Sequence, residues 1–184
     1  AYLLYLKQEK NFSKGAFQVA LHGIKFFYRF TCPRDWPVLK LVKPPRQKKL
    51  PVVLSPAEVR QLLGSVRRPH YRVCLRTIYA CGLRLQEGLH LQTPDIDSGR
   101  MALHIRQGKR GKDRYVPLPR HTLALLRAYW VTHRHPVWLF PGYGGMATAG
   151  KPLDSRGVQK AFRLALTESG ISKAATVRTL RHSW

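Results

Sequence analysis

Negative charge is scarce in this sequence: 9 of its 184 residues are Asp or Glu, against 33 Lys or Arg, a formal net charge of +24. A merely solvated basic surface accounts poorly for that balance, because self-repulsion on this scale destabilises a compact chain with no polyanion nearby. Nucleic acid is therefore the expected partner, with an anionic membrane surface as the distant alternative. Cysteine is scarce too. Cys32, Cys74 and Cys81 form no CxxC pair or other metal-binding spacing, which excludes a disulfide framework and fits a reducing cytosol. Cys74 and Cys81, seven apart in a helical pattern, share one face as small core residues. There is no apolar run of about 18 residues and no charged-then-apolar leader, so a soluble, cytoplasmic protein is expected. Nothing matches the GxxxxGK[ST] spacing of a phosphate-cradling loop.

What is present is enough for a core, with 44% hydrophobic and 10% aromatic residues. Tyr2, Leu3, Leu6 and Lys7 read as a helix entered part-way, with no capping residue before it and no initiator Met. Ser13 reads as the N-cap of a second helix, whose apolar positions include Leu21, Ile24, Phe27 and Tyr28. His22, Lys25 and Arg29 fall between them. That basic face is either solvated or laid along a DNA groove, with Lys25 and Arg29 as contacts. Pro33, Pro37, Pro44, Pro45 and Pro51 then break any helix, and Lys43, Arg46, Lys48 and Lys49 add a basic run. This segment is an extended connector, either simply soluble or lying along a phosphate backbone. The expected division is a partial helical DNA-binding domain over 1–32, a linker over 33–54 and a larger domain over 55–184.

In the larger domain, Ser55-Pro56-Ala57-Glu58 is a capping box with proline at the first helical position. A helix from about His70 to Cys81 buries Val73, Leu75, Ile78 and Tyr79, and Gly82 suits the position that ends it. A short helical turn follows over Leu83 to Leu91. Met101, Leu103 and Ile105 alternate with polar neighbours and are answered by Val116 and Leu118 across a glycine-rich basic loop, which predicts a hairpin. Arg120 to His133 is an amphipathic helix. Asp154 or Ser155 caps another, through Val158, Phe162 and Leu166 to Gly170. Thr176 to Trp184 reads as the start of one more helix, cut off part-way.

Three basic groups fall at helix ends or in the hairpin turn: Arg84, Lys109 and Arg181. Two arginine forks around one phosphodiester would stabilise the charge that builds as an oxygen attacks phosphorus. A lysine on the hairpin could protonate the departing oxygen, provided that its pKa falls beside the arginines. Glu87, one turn after Arg84, either holds that guanidinium in place or makes an ordinary surface ion pair.

Ala80-Cys81-Gly82-Leu83-Arg84-Leu85-Gln86-Glu87 resembles the first arginine box of the tyrosine recombinases, the phage and integron integrase family. Gly108-Lys109-Arg110-Gly111-Lys112-Asp113-Arg114-Tyr115-Val116-Pro117-Leu118 resembles that family's hairpin with its catalytic lysine. Thr176-Val177-Arg178-Thr179-Leu180-Arg181-His182-Ser183 resembles its second box, and residues 2–50 are similar to its helical core-binding domain without the start. The resemblance implies a mainly α fold with a small antiparallel β-sheet, in which the core-binding domain precedes an incomplete catalytic domain. It implies that Arg84 and Arg181 bind the phosphate, that Lys109 protonates the leaving 5′ oxygen, and that Glu87 supports Arg84. Arg110 and Lys112 would contact DNA from the hairpin. Family members cut duplex DNA with a tyrosine, forming a 3′-phosphotyrosyl bond, and work as a tetramer around two duplexes. No metal or other cofactor is needed, because the covalent link conserves the bond energy.

The sequence departs from the family pattern twice. Arg178 stands where a histidine is expected; it can donate to a phosphate oxygen but cannot shuttle a proton near neutral pH. Adjacent His182 is ordinary for the family and does not replace it. The chain also ends before the family's third box and its tyrosine nucleophile. The expectation is a fragment, truncated at both ends, that binds DNA without completing cleavage. The rivals are a catalytically decayed module that only occupies recombination sites, and a basic structural RNA-binding protein.

Overall fold

The computed structural model describes residues 2–32, 50–106, 111–143 and 150–184. Lys43, Arg46, Lys48 and Lys49 of the basic run, and Lys109 and Arg110 of the hairpin turn, lie outside the described residues. The chain divides into two units, 1–50 and 51–184.

In the first unit, α1 (Tyr2–Gln8) and α2 (Lys14–Phe26) pack on each other. Asn11 takes the left-handed conformation in the turn between them, at φ 45°. Ser13 caps α2 as expected, its Oγ accepting from the Ala16 amide at 3.3 Å. Leu6 and Leu21 are buried. The expected apolar run does not stay α-helical: Phe27–Thr31 widens into a π-helical turn, closed by the Cys32 amide donating to the Phe27 carbonyl. Phe27 is consequently exposed. The Arg29 guanidinium lies 5.4 Å from the centre of the Phe30 ring.

The second unit is built around α4 (Pro69–Ala80), which is contacted by α3 (Pro56–Gly64), α5 (Leu85–Leu89), α6 (Arg120–His133), α7 (Ser155–Glu168) and α8 (Val177–His182). A helix walled in from so many directions must be apolar around most of its circumference. Accordingly Val73, Cys74, Leu75, Thr77 and Ile78 are all buried. Cys74 and Cys81 are the core residues that their spacing predicts. The capping box at the start of α3 closes in both directions: the Ser55 amide donates to Glu58 Oε2 at 2.7 Å, and the Glu58 amide to Ser55 Oγ at 3.2 Å.

The sheet has three antiparallel strands in the order β1 (Ile96–Asp97), β2 (Ala102–Ile105), β3 (Arg114–Pro117). The hairpin pairs Leu103 with Val116 and Ile105 with Arg114. Met101 belongs to the preceding turn and not to the strand: its φ is +51°, and its carbonyl accepts from the Leu118 amide at 2.8 Å. The third strand, β1, has only two residues, too few for an alternation to be visible in sequence.

Gly88 is where α5 comes close to α4. A Cβ at this position would lie 2.7 Å from Ile78 Cγ1. Overpacking of this kind costs about 1–3 kcal/mol, against about 1 kcal/mol of helix propensity gained over glycine. Gly88→Ala is therefore expected to destabilise the fold by on the order of 1 kcal/mol in urea unfolding; a stabilised variant would show that the two helices are further apart.

Candidate functional site

The first element of the site is the end of α4. Gly82 takes φ +58°, its amide donates to the Tyr79 carbonyl at 3.2 Å, and the Leu83 amide reaches back to the Ile78 carbonyl at 3.0 Å. This paired reversal needs a residue without a Cβ penalty at its centre. It sends Leu83 into the core and leaves Arg84 as the N-cap of α5, with extended backbone. Glu87, three residues on, turns back and accepts from the Arg84 amide at 2.7 Å through Oε2. Its other oxygen accepts from Arg84 Nη1 at 2.6 Å.

Glu87 is not the surface ion-pair partner that its spacing from Arg84 allowed. Its side chain is 8% exposed, and two more guanidinium groups converge on it. Arg114, on β3, donates Nη1 to Oε1 and Nη2 to Oε2, each at 2.8 Å, a two-pronged fork. Arg181, on α8, places Nη1 at 3.5 Å from Oε2. The structure thus brings Arg84, Glu87 and Arg181 together as expected, and adds Arg114. The signal for Arg114 lay in the hairpin's own alternation. Opposite Ile105, which is buried, it occupies the core-facing phase of β3, where an arginine calls for a carboxylate.

Arg84 and Arg181 open onto a groove of about 920 Å³ that is also lined by Gln86, Gln159, Arg163, Arg178 and His182. Arg114 and Glu87 do not line it. Among the described residues no tyrosine lines it either. Gln159 and Arg163, on α7, were not singled out from the sequence. Their signal was the polar edge Arg156, Gln159, Lys160 and Arg163 on a helix read only for its apolar stripe. Arg178 stands one turn from His182 on α8, and its Nε donates to His182 Nε2 at 3.2 Å. That makes Nε2 the acceptor and leaves the proton of the neutral ring on Nδ1. At the end of α8, Trp184 Nε1 donates to the Ala80 carbonyl at 3.1 Å, and its ring lies against Gly82. This ties α8 to the same reversal that positions Arg84. Lys25 is half-buried, Arg29 and Lys112 are exposed, and no group of acidic, His and Cys side chains among the described residues could hold a metal ion.

Burial raises the pKa of Glu87, but the fork from Arg114 and the donors of Arg84 outweigh it and hold the carboxyl down at about 2. Burial, followed by the neighbouring charge of Arg84, pulls Arg181 below the usual arginine value. In the unfolded chain Glu87 titrates near its ordinary 4.5. A depressed folded pKa means that the cluster stabilises the protein above pH 4.5, and that this contribution is lost as the pH falls towards 2. Glu87→Gln is expected to cost on the order of 2 kcal/mol at neutral pH. The gap between variant and wild type should shrink steadily through the acid range in melts taken at a series of pH values. A gap that stays constant would mean that the carboxylate is not held in this way.

The model of the Phage integrase family matches residues 52–184, the whole of the second unit but its first residue. Two proteins of Sinorhizobium fredii, "Putative integrase/recombinase y4eF" and "Putative integrase/recombinase y4qK", are each 40% identical to this chain over 184 residues. Both matches cover all of this chain, which spans 72% of the first relative and 58% of the second. Among solved structures, the XerH site-specific recombinase bound to its palindromic difH substrate superposes with a TM-score of 0.75 at 21% identity. That match covers 99% of this chain and 58% of the other, and carries the fold alone. A mainly helical fold with a small antiparallel sheet, a family model matched over most of this chain and relatives of this similarity along all of it leave one assignment: this chain belongs to the phage integrase family of tyrosine recombinases.

Proposed function

We propose that this chain acts in site-specific DNA recombination, and that the groove beside α5 and α8 grips one phosphate of a DNA backbone. The observation that carries this reading is the convergence of Arg84 and Arg181 on one groove, with a buried carboxylate behind both. Arg84 and Arg181 bind the non-bridging oxygens of the phosphate, and Glu87 fixes Arg84. Arg178 adds a third donor from α8. Lys109, on the hairpin turn, is the proposed proton donor to the leaving 5′ oxygen. Lys25, Arg29, Lys43, Arg46, Lys48, Lys49, Arg110 and Lys112 are the proposed backbone contacts outside the groove. The net charge of +24 supports duplex DNA as the partner, and assembly into a tetramer on DNA is part of the same proposal.

The proposed division of labour is a helical DNA-binding segment over 1–32, a connector over 33–54 and the phosphate-gripping domain over 55–184. A second reading, in which the chain only occupies recombination sites, is favoured by Arg178. Engaged with His182 and unable to give up a proton near neutral pH, it supplies charge without acid–base chemistry. No tyrosine among the described residues lines the groove, so these 184 residues are proposed to hold the phosphate without attacking it.

Binding of a fluorescent duplex tests the reading. Arg84→Ala and Arg181→Ala are each expected to weaken binding about tenfold or more, and to lower the slope of log affinity against log salt by about 1. Affinity unchanged in both variants, or equal affinity for folded RNA, would overturn it. Incubation with a nicked suicide duplex should leave no covalent adduct on this chain; an adduct would refute binding without cleavage.

A further inference from the structure

Arg114 gives both of its terminal nitrogens to Glu87. Arg84 gives one side-chain nitrogen, and Arg181 gives one at the longer distance of 3.5 Å. Exposure does not separate Arg114 from Arg181: both side chains are 32% exposed, against 44% for Arg84. Arg84 and Arg181 also line the groove, whereas Arg114 does not. The cluster therefore holds three positive charges and one negative, and the arginine most fully committed to the carboxylate is the one that does not line the groove.

We propose that Arg114 is a positioning residue that takes up the charge of Glu87, so that Arg84 and Arg181 keep theirs for a phosphate. The proposal rests on the phosphate-gripping reading of the groove. Without Arg114, Glu87 would be a buried carboxylate whose remaining partners are the two groove arginines, and it would compete with the phosphate for both. With Arg114 in place, the carboxylate's charge is matched from the β3 side. Its other lone pairs then orient Arg84 without neutralising it. A fork is needed for this, since it sets the plane of the carboxylate as well as its charge; a lysine offers only a point charge.

Arg114 could instead be a staple that only joins β3 to α5. The two roles differ in the sign of one double variant. Duplex binding by the full 184-residue chain is measured across a salt series for wild type, Arg114→Met, Arg114→Met with Glu87→Gln, and Arg84→Ala. As counter-ion, Arg114→Met weakens binding about tenfold and lowers the salt slope by about 1, because Glu87 now cancels a groove arginine. Adding Glu87→Gln removes the competing charge, while its amide oxygen still accepts from the Arg84 backbone, so affinity and slope recover. A double variant as weak as Arg114→Met, or weaker, overturns the proposal. Where circular dichroism shows Arg114→Met to be unfolded, Arg114→Lys takes its place with the same expected sign. Adding Glu87→Gln must raise its affinity, and a fall overturns the proposal. If Arg84→Ala binds like wild type, the phosphate reading itself has failed, and the proposal falls with it. If Arg84→Ala is weak and the double variant stays weak, only the role of Arg114 is lost.

Discussion

One carboxylate shared by three guanidinium groups is the constraint on which this site depends. Three arginines brought this close would repel one another strongly in a partly buried place, where water screens charge poorly. Glu87 makes the arrangement possible because a carboxylate has lone pairs for several donors and its 8% exposed side chain gives most of them to arginines. The same contact fixes spacing. Guanidinium groups tied to one pair of oxygens have their free edges held at set positions, which is what an anion pocket needs before an anion arrives.

The constraint is met by segments far apart in the chain: Glu87 and Arg114 are 27 residues apart, and Glu87 and Arg181 are 94. What joins the segments of Glu87 and Arg181 is α4. Its buried length carries α5 at its C-terminal end, α8 alongside, and the reversal at Gly82 that turns Arg84 outward. Trp184 closes the loop by packing against Gly82 and bonding the Ala80 carbonyl, so the arginines of α5 and α8 share one support. The backbone of Leu54, just before α3, joins the same support by donating to Ser183 Oγ at 2.8 Å. A shift at any of these points would move Arg84 and Arg181 relative to one another.

How much of this was legible follows from how local each feature is. The Ser55 capping box and the Gly82 reversal were readable because each is decided within a few residues, by a side chain meeting its own backbone or by a glycine taking φ +58°. Arg84 and Arg181 were legible through their resemblance to family boxes. Arg114 stands within the hairpin motif, where its phase in β3 turns it towards the core without naming its partner. Its role depends on β3 facing α5, and that is a tertiary fact. Glu87 was allowed two readings for the same reason: spacing gives its bond to Arg84 but not its burial. The buried Asp95 was missed in the same way. It caps the turn at Gln92 and also pairs with Arg106 Nε at 2.6 Å, and only the first of these contacts is local. The division of Gln159 and Arg163 from the apolar stripe of α7 could have been made from the helical period alone.

Arg178 then takes on a definite physical meaning. The groove already holds Arg84, Arg163 and Arg181, all of fixed charge, so a fourth guanidinium deepens an anion-attracting field that is insensitive to pH near neutrality. A histidine in its place would add a group able to change its charge there, at the cost of a weaker field. The residue beside Arg181 that could carry a proton, His182, has its Nε2 occupied as the acceptor for Arg178. Its available ring proton is therefore on Nδ1, and it reaches a ligand only from that side or by breaking with Arg178. On the proposed reading, the α8 face of the groove is built for holding a phosphate firmly, and Lys109 of the hairpin is the proposed source of the proton for a departing oxygen.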